Sequence, residues 1–208
     1  MASKILEITP PRRDAILNAA LKEFAAKGFV GASTNVIARE AGISKGLMFH
    51  YVSSKEALFF AAYDYFTAIM NKEYFELLDL NEKDIFERLR QSYLLQLKLV
   101  KKHPWIFELN KLSSAANPNE IKAELEKRAS EKLSACDIFD AIDESKFRTG
   151  LDIEKCKQFI LWSNIGFTNQ MLEESRSIDF GDFDYESTMK KLDENLQELR
   201  KIFYEQEV

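Results

Sequence analysis

The sequence predicts an all-α protein. Glycine and proline are scarce, with 7 and 4 residues among 208, and helix-forming residues dominate the rest of the chain. Almost no segment shows the alternation of apolar and polar residues that is typical of a strand. Hydrophobic residues make up 46% and charged residues 30%, which is typical of a globular protein rather than a disordered one.

The first helix is predicted to begin at the Pro10-Pro11 pair. Proline suits a helix start because the backbone N–H that it lacks would be unpaired there in any case. The helix is expected to end near Gly28. Its apolar face consists of Ile16, Leu17, Ala20, Leu21 and Phe24.

Two short helices and one long helix are predicted next. Ser33 or Thr34 begins the second helix, which Gly42 ends, and Ser44 begins the third. A serine at these positions can accept a hydrogen bond from a backbone N–H of the first turn. Ser54 caps the fourth helix, which is predicted to run to about Leu78.

The remaining chain predicts several further helices. One runs from about residue 84 to 102, and others begin at Pro104, Pro118 and about Asp152. Residues 136–151 resist assignment. Cys136 and Cys156 fall in apolar helical contexts and are expected to be reduced and packed rather than to form a redox or metal site.

The last helix carries the most regular apolar spacing in the chain. Its apolar residues are separated by alternating steps of four and three, as in the seam of a coiled coil. Such a seam can pack within one chain or between two subunits, and we expect it to form a homodimer interface. The seam residues are Tyr185, Met189, Leu192, Leu196, Leu199 and Phe203.

Charge and motif content exclude several classes of protein. Residues 1–56 carry eight Lys/Arg against five Asp/Glu, although the net charge of the chain is −5, so the first part is the one expected to meet an anion.

No apolar run is long enough to cross a membrane, and the N-terminus lacks a signal-peptide core, so a cytoplasmic location is expected. No catalytic motif, metal-ligand spacing or cofactor-binding loop is present, so we expect no enzyme and no cofactor.

The stretch "STNVIAREAGISKGLMFHYVSSKEAL" has the layout of a helix-turn-helix. Two short helices flank a turn that contains Gly42. In that motif the second helix enters the major groove of DNA, and its N-terminal residues reach the base edges. The alternative is a plain helical hairpin with a capped turn, which occurs in many helical bundles.

The segment from Ile16 to Phe59 resembles the N-terminal domain of the TetR/AcrR family of transcriptional regulators. The resemblance covers about a quarter of the chain without interruption. It implies a three-helix DNA-binding domain, placed here at residues 1–56, followed by a larger helical domain at residues 57–208 that binds an effector and forms a homodimer. The matching positions are Ala20, Phe24, Gly28, Thr34, Ile37, Ala38, Ala41, Gly42, Ser44, Gly46, Ser54, Lys55 and Leu58.

Groove geometry and the resemblance together give a set of DNA-contacting candidates. Lys45 and Gly46 are expected to face the groove, and Leu47 could touch a thymine methyl. The complete candidate set is Thr34, Asn35, Ser44, Lys45, Gly46, Leu47, His50, Tyr51 and Lys55. Two positions depart from the family pattern: Phe49 replaces its usual tyrosine and Val52 its usual phenylalanine. We therefore interpret Phe49 as partly a core residue.

The resemblance also implies a small-molecule effector in the C-terminal helices. Their aromatic content favours a hydrophobic or amphipathic ligand. The candidate effector-binding residues are Trp105, Phe107, Phe139, Phe159, Trp162, Asn164, Phe167 and Met171. The leading hypothesis is a dimeric repressor that an effector releases from a pseudo-palindromic operator in double-stranded DNA. The alternatives are an all-helical enzyme and a helical interaction module that does not bind DNA.

Overall fold

The predicted all-α class is confirmed. The computed structural model describes residues 4–114, 117–132, 137–177 and 184–205, and every regular element within them is a helix. The one pairing of extended backbone there is an isolated bridge between Phe147 and Tyr204. The α-helices are α1 (Pro10–Gly31), α2 (Thr34–Glu40), α3 (Lys45–Tyr51), α4 (Lys55–Met70), α5 (Ile85–Lys102), α6 (Leu109–Ser114), α7 (Asn119–Lys132), α8 (Ile153–Ser177) and α9 (Tyr185–Phe203).

The predicted starts of α3 and α4 are confirmed by hydrogen bonds at their caps. The hydroxyls of Ser44 and Ser54 accept from the backbone N–H groups of Leu47 and Ala57 at 3.1 and 3.0 Å. Ser33 does precede α2, but its side chain makes no capping hydrogen bond. Instead its backbone N–H donates to the Glu23 carboxylate of α1 at 2.9 Å, which ties the start of α2 to the preceding helix.

The contacts divide the chain into two compact units. The first contains Met1–Glu76 and Lys102–Ser134, and the second contains Leu77–Lys101 and Ala135–Val208. This division follows packing, whereas the boundary after residue 56 was predicted from function, and that boundary stays a prediction. All of α4 belongs to the first unit, together with the helices of the helix-turn-helix.

An aromatic cluster joins α1 to α4 in the first unit. The ring of Phe59 meets the rings of Phe24 and Phe29 edge-on, with centroids 5.0 and 5.5 Å apart. Phe24 and Phe59 have no exposed surface. Edge-to-face pairs of this kind stabilise by about 0.5–1.5 kcal/mol beyond the apolar area that they bury.

Gly28 produces the bend that brings Phe29 into this cluster. Its φ of 67° interrupts the helical backbone of α1 three residues before the assigned end at Gly31, which confirms the predicted stop near Gly28. A side chain at such a φ is strained, and glycine is not. The backbone N–H of Phe29, freed by the bend, donates to the Asn117 side chain at 3.1 Å.

The second unit is built around α5 and a buried arginine. Arg88 has no exposed surface, and its guanidinium group donates to four backbone carbonyls rather than to a carboxylate. Because every bond ends on a carbonyl, this side chain fixes the loops on both sides of it. The acceptors are the carbonyl oxygens of Leu80, Glu82, Ile138 and Asp140.

Beside Arg88, Asp84 links the start of α5 to the end of α9. Its carboxylate accepts from Arg200 at 2.7 and 3.0 Å and from Lys146 at 2.9 Å, and it also accepts from the backbone N–H of Phe86. Burial raises the pKa of Asp84, but the hydrogen bonds from Lys146 and Arg200 more than offset this effect, so its pKa lies below the ordinary value.

The predicted seam of α9 packs largely within the chain. Leu192, Leu196 and Phe203 are buried in the single subunit, where α9 packs on α8. The expectation that this seam forms a subunit interface therefore does not hold for these three residues, because their apolar surface is already covered. Cys156 is buried and unpaired, and Cys136 lies outside the described residues.

No helix in the described part of the chain combines the length and apolar character needed to span a membrane.

The first prediction concerns Asp84. Asp84→Asn should lower the free energy of unfolding at pH 7 by about 2 kcal/mol, because charge-assisted hydrogen bonds to Arg200 and Lys146 are lost. A depressed folded-state pKa means that this stabilisation is present above the unfolded value of 3.8 and is lost as pH falls through the folded value. Urea unfolding at several pH values measures both effects.

Asp193→Asn is the matched control, because Asp193 pairs with Arg90 at the surface with both side chains about two-fifths exposed. It should cost under about 1 kcal/mol. Equal losses for the two variants would contradict the structural role given to Asp84.

Candidate nucleic-acid interface

A tight turn sets the angle between α2 and α3. Gly42 has a φ of 67°, and its N–H donates to the Arg39 carbonyl at 3.1 Å. The N–H of Ile43 donates to the Ala38 carbonyl at 3.0 Å. These bonds satisfy the last carbonyls of α2 and end that helix. The chain is then free to start α3 two residues later.

The inner side of α3 anchors it to the domain. Met48 has no exposed surface, and Val52 just after the helix is 2% exposed. Phe49 is half-buried, with the Lys45 ammonium 5.9 Å from its ring centroid, in agreement with its interpretation as partly a core residue. A helix of seven residues is not stable alone in water, so this burial is what holds α3 in place.

The opposite side of α3 is open to solvent. Ser44, Lys45, Gly46 and His50 are exposed, and Leu47 is half-buried. The predicted base-reading residues thus share the N-terminal half of the helix, as groove insertion requires. His50 and Tyr51 lie together at the other end, with ring centroids 5.7 Å apart.

Neither the space around Gly46 nor its backbone conformation requires a glycine at this position. A Cβ added there would meet no atom within 4 Å, and its backbone is not in the left-handed region. Glycine weakens a helix relative to alanine, so its presence on this open surface indicates a requirement from outside the chain. Close approach of a DNA backbone or base edge would supply that requirement.

Thr34 and Asn35 occupy the first turn of α2. Thr34 is half-buried and Asn35 is exposed. The Thr34 hydroxyl and the Asn35 amide therefore lie where a phosphate can approach. The N-terminus of a helix presents unpaired N–H groups and a partial positive charge, which favour an anion. Their contacts with DNA stay predictions.

Lys55 has a structural role that its sequence position did not reveal. Its ammonium group donates to the Val30 carbonyl at 3.1 Å and lies 5.2 Å from the ring centroid of Phe29. It therefore ties the start of α4 to the bend in α1. Because an ammonium group has three donors, a phosphate contact remains compatible with this bond.

Arg12 is a candidate that the sequence pattern did not reveal. This exposed residue at the start of α1 donates from Nη1 to the Tyr51 hydroxyl at 3.4 Å. It therefore adds a guanidinium group beside the end of α3. The adjacent Arg13 is instead engaged by Asp14 and by the Tyr65 hydroxyl at 3.0 and 3.1 Å. The Arg-Arg pair after the two prolines was the available signal, but sequence alone does not show which arginine stays free to meet DNA.

Comparison with known proteins relates the N-terminal segment to a known family. Residues 16–62 match the family described as bacterial regulatory proteins, tetR family. The N-terminal segment is thus similar to the tetR family, as the sequence motif predicted. Two relatives from Bacillus subtilis strain 168 are HTH-type transcriptional regulators: YerO is 39% identical over 62 residues and YuxN is 35% identical over 85. These matches span 29% and 41% of this chain but only 22% and 28% of the relatives' own lengths.

Solved structures extend the likeness in fold to nearly the whole chain. The ketosteroid transcriptional regulator KstR2 of Mycobacterium tuberculosis aligns with a TM-score of 0.57 at 18% identity, covering 96% of this chain and 97% of that one. AibR, solved in complex with isovaleryl coenzyme A and operator DNA, aligns with a TM-score of 0.52 at 19% identity, covering 93% and 98%. The tetR-type architecture predicted from the N-terminal motif is therefore confirmed as a fold.

The candidate effector residues belong to both compact units. Trp105 and Phe107 lie in the first compact unit, and the Lys22 ammonium of α1 is 5.2 Å from the Trp105 ring centroid. Phe159 and Trp162 lie on α8 of the second unit with about half of their surface exposed. The remaining candidates are half-buried or buried in the second unit: Phe139, Asn164, Phe167 and Met171.

The second prediction concerns Gly46. Gly46→Ala should leave the fold intact and raise the free energy of unfolding by about 0.5 kcal/mol, because alanine is the better helix former and meets no neighbour. The same change should weaken DNA binding by about tenfold, or about 1.4 kcal/mol, because its methyl group blocks close approach. Thermal unfolding and fluorescence polarisation on one protein preparation measure the two effects. Unchanged DNA affinity would show that α3 does not approach DNA through Gly46.

Proposed function

We propose that the chain is a sequence-specific DNA-binding transcriptional regulator, acting as a repressor that a small-molecule effector releases from its operator. The observation that carries this proposal is the two-sided character of α3. Met48 is fully buried, whereas Lys45, Gly46 and His50 are exposed on a helix that fits the major groove. Action on DNA implies a cytoplasmic location, which is part of the proposal.

The groups around α3 suit distinct roles in binding. Lys45, Leu47 and Asn35 are proposed to read base edges, because they lie on the first turns of α3 and α2. Thr34, Ser44, His50, Tyr51 and Lys55 are proposed to hold phosphates, and Arg12 joins them through its bond to Tyr51. The excess of basic over acidic residues in positions 1–56 favours this encounter electrostatically.

We propose that the regulator is a homodimer and that α8 supplies its interface. Phe159, Trp162 and Ile165 are 51%, 55% and 48% exposed and follow one another at helical spacing. Large aromatic side chains left open to water in this way mark an interaction surface. Gly166 lies in the same stripe with open space above it, so the helix of a second copy can approach closely.

A second copy fits this surface better than another partner does. The stripe runs along a single straight element, so two copies can pack the same face against each other around a two-fold axis. A two-fold axis also suits the pseudo-palindromic operator, because each subunit then presents one α3 to one half-site. The α9 seam is not available for this role where its residues are buried within the subunit.

Release from DNA is proposed to follow from effector binding in the C-terminal helices. An effector that prefers a conformation unsuited to the operator shifts the population away from the DNA-bound state. The coupling is reciprocal, so operator DNA weakens effector binding by the same factor. The ketosteroid regulator and the isovaleryl coenzyme A complex among the similar folds support a hydrophobic or amphipathic effector, although their likeness to this chain is one of fold alone.

The third prediction tests DNA binding in a way that does not require the operator sequence. Selection from a pool of random duplexes at low salt, with no effector added, should enrich a pseudo-palindromic site. Lys45→Ala should bind that site at least about tenfold more weakly, with an unchanged circular dichroism spectrum. Lys122→Ala, which alters an exposed lysine on α7, is the control and should bind as the wild type does. A pool that yields no preferred sequence would instead favour a helical interaction module.

The fourth prediction tests the α8 interface. Trp162→Lys should shift the protein from dimer to monomer in sedimentation equilibrium, with a dimer dissociation constant raised at least about a hundredfold. The reason is that a charge would be buried where an aromatic anchor was. Leu151→Lys, at another exposed apolar residue of the same unit, should remain dimeric. A Trp162→Lys protein that sediments as the wild-type dimer would place the interface elsewhere.

A further inference from the structure

Three buried oxygen atoms on α5 and α8 have no hydrogen-bond partner among the residues that the structure describes. They are Oε1 of Gln96, Oδ1 of Asn164 and Oγ1 of Thr168. Gln96 is only 7% exposed. Buried polar atoms are nearly always paired, so three unpaired ones on two helices call for a specific explanation.

The three atoms lie on two helices that meet at Tyr93. The Tyr93 hydroxyl of α5 donates to the Asn164 carbonyl at 2.8 Å, and its ring meets Phe167 edge-on at 5.3 Å. Gln96 lies three residues after Tyr93, and Thr168 lies one turn after Asn164. Residues at these spacings share a helix face. Gln96 and Thr168 therefore each lie within about one turn of the Tyr93–Asn164 contact, counted along their own helices.

Buried polar groups nearby in the same unit are paired. Arg88 uses its donors on backbone carbonyls, and Asp84 is held by Arg200 and Lys146. The Thr188 hydroxyl donates to the Asp184 carbonyl at 2.9 Å. The unpaired oxygens of Gln96, Asn164 and Thr168 thus contrast with the paired groups around Arg88 and Asp84.

The chemistry of the cluster defines what would complete it. The Gln96 amide nitrogen already donates to the Ser92 hydroxyl at 3.0 Å, so its oxygen is the atom left to accept. The Asn164 oxygen is also an acceptor, and the Thr168 hydroxyl can accept or donate. The three side chains are uncharged. A neutral group with N–H or O–H bonds fits them, whereas a carboxylate would bring further acceptors.

Apolar side chains next to the cluster suit the rest of such a ligand. Phe167 packs on Tyr93, and Met171, one turn beyond, is buried. Methionine is flexible and adapts to ligands of different shape. Asn164, Phe167 and Met171 were effector candidates from sequence, whereas Gln96 and Thr168 were not.

We infer that Gln96, Asn164 and Thr168 bind the hydrogen-bond-donating end of a neutral amphiphile, such as an alcohol or a primary amide, whose apolar part lies against Phe167 and Met171. The inference rests on the proposed effector-binding function and names the chemical class of its ligand. It makes the polar end, rather than hydrophobicity alone, the basis of effector selection.

The fifth prediction uses four probes of equal chain length: octanamide, 1-octanol, methyl octanoate and sodium octanoate. The first two carry a neutral donor, the ester carries only acceptors, and octanoate is an anion. Octanamide and 1-octanol should raise Tm in a concentration-dependent way, because a ligand that binds only the folded state stabilises it. Methyl octanoate and octanoate should give less than about a third of that shift.

Matched variants test whether Gln96 and Thr168 are responsible for the rise in Tm. Gln96→Met and the isosteric Thr168→Val should each weaken octanamide binding by about tenfold and leave the small response to methyl octanoate unchanged. Gln170→Met is the control, because Gln170 is an exposed amide on α8 whose nitrogen donates to Glu174. Circular dichroism verifies that each variant folds. If Gln96→Met does not fold, Thr168→Val alone is sufficient for the test.

The outcomes separate this inference from the proposed function. Equal shifts from the amide and the ester, or unchanged octanamide binding in both variants, would overturn the inference. DNA affinity, measured on the same wild-type preparation, tests the regulator independently. Loss of sequence-specific DNA binding with intact, variant-sensitive octanamide binding would support the ligand site and refute the regulator. Intact sequence-specific DNA binding with none of the four probes bound would support the regulator and refute the ligand site.

Discussion

The edge-on contact of Phe59 with Phe24 and Phe29 is the interaction on which the DNA-binding region depends. It fixes α4 against α1, and the bend at Gly28 is what places Phe29 within reach. Neither α2 nor α3, each seven residues long, is stable by itself. Packing of α2 on α1 and of α3 on α2 therefore stabilises two helices that are marginal alone. Two hydrogen bonds reinforce the bend at Gly28. Lys55 donates to the Val30 carbonyl, and Asn117 accepts from the backbone N–H of Phe29.

The α3 helix combines a buried side that stabilises it with an exposed side that is proposed to recognise DNA. Met48 supplies the buried contact, and the Ser44 hydroxyl satisfies a backbone N–H at the start of the helix. These two features leave the exposed side free of any packing role. Gly46 is the clearest sign of this freedom, because a side chain would be accommodated there without a clash. A residue that the fold does not require is open to selection by a partner.

The second unit divides its polar interior into two regions of different character. Around Arg88 and Asp84, charges are matched by backbone carbonyls or by opposite charges. Between α5 and α8, neutral side chains leave acceptors unpaired within the described part of the chain. A fully paired network makes a corner rigid, whereas unpaired acceptors favour a ligand that completes them. Structural stability and the proposed ligand selection thus involve separate parts of the same helix, α5.

The sequence by itself determined the helical class, the caps at Ser44 and Ser54, the stop at Gly28 and the helix-turn-helix, because these depend on residues close together in the chain. It also predicted that Lys45 faces outward and that Phe49 is partly a core residue. Tertiary structure alone decided the remaining features: the bond of Lys55 to Val30, the position of Arg12 beside Tyr51, the burial of the α9 seam against α8, and the bond of Tyr93 to Asn164. Each joins residues far apart in sequence, and periodicity shows that a side chain is apolar or exposed without showing which element it meets.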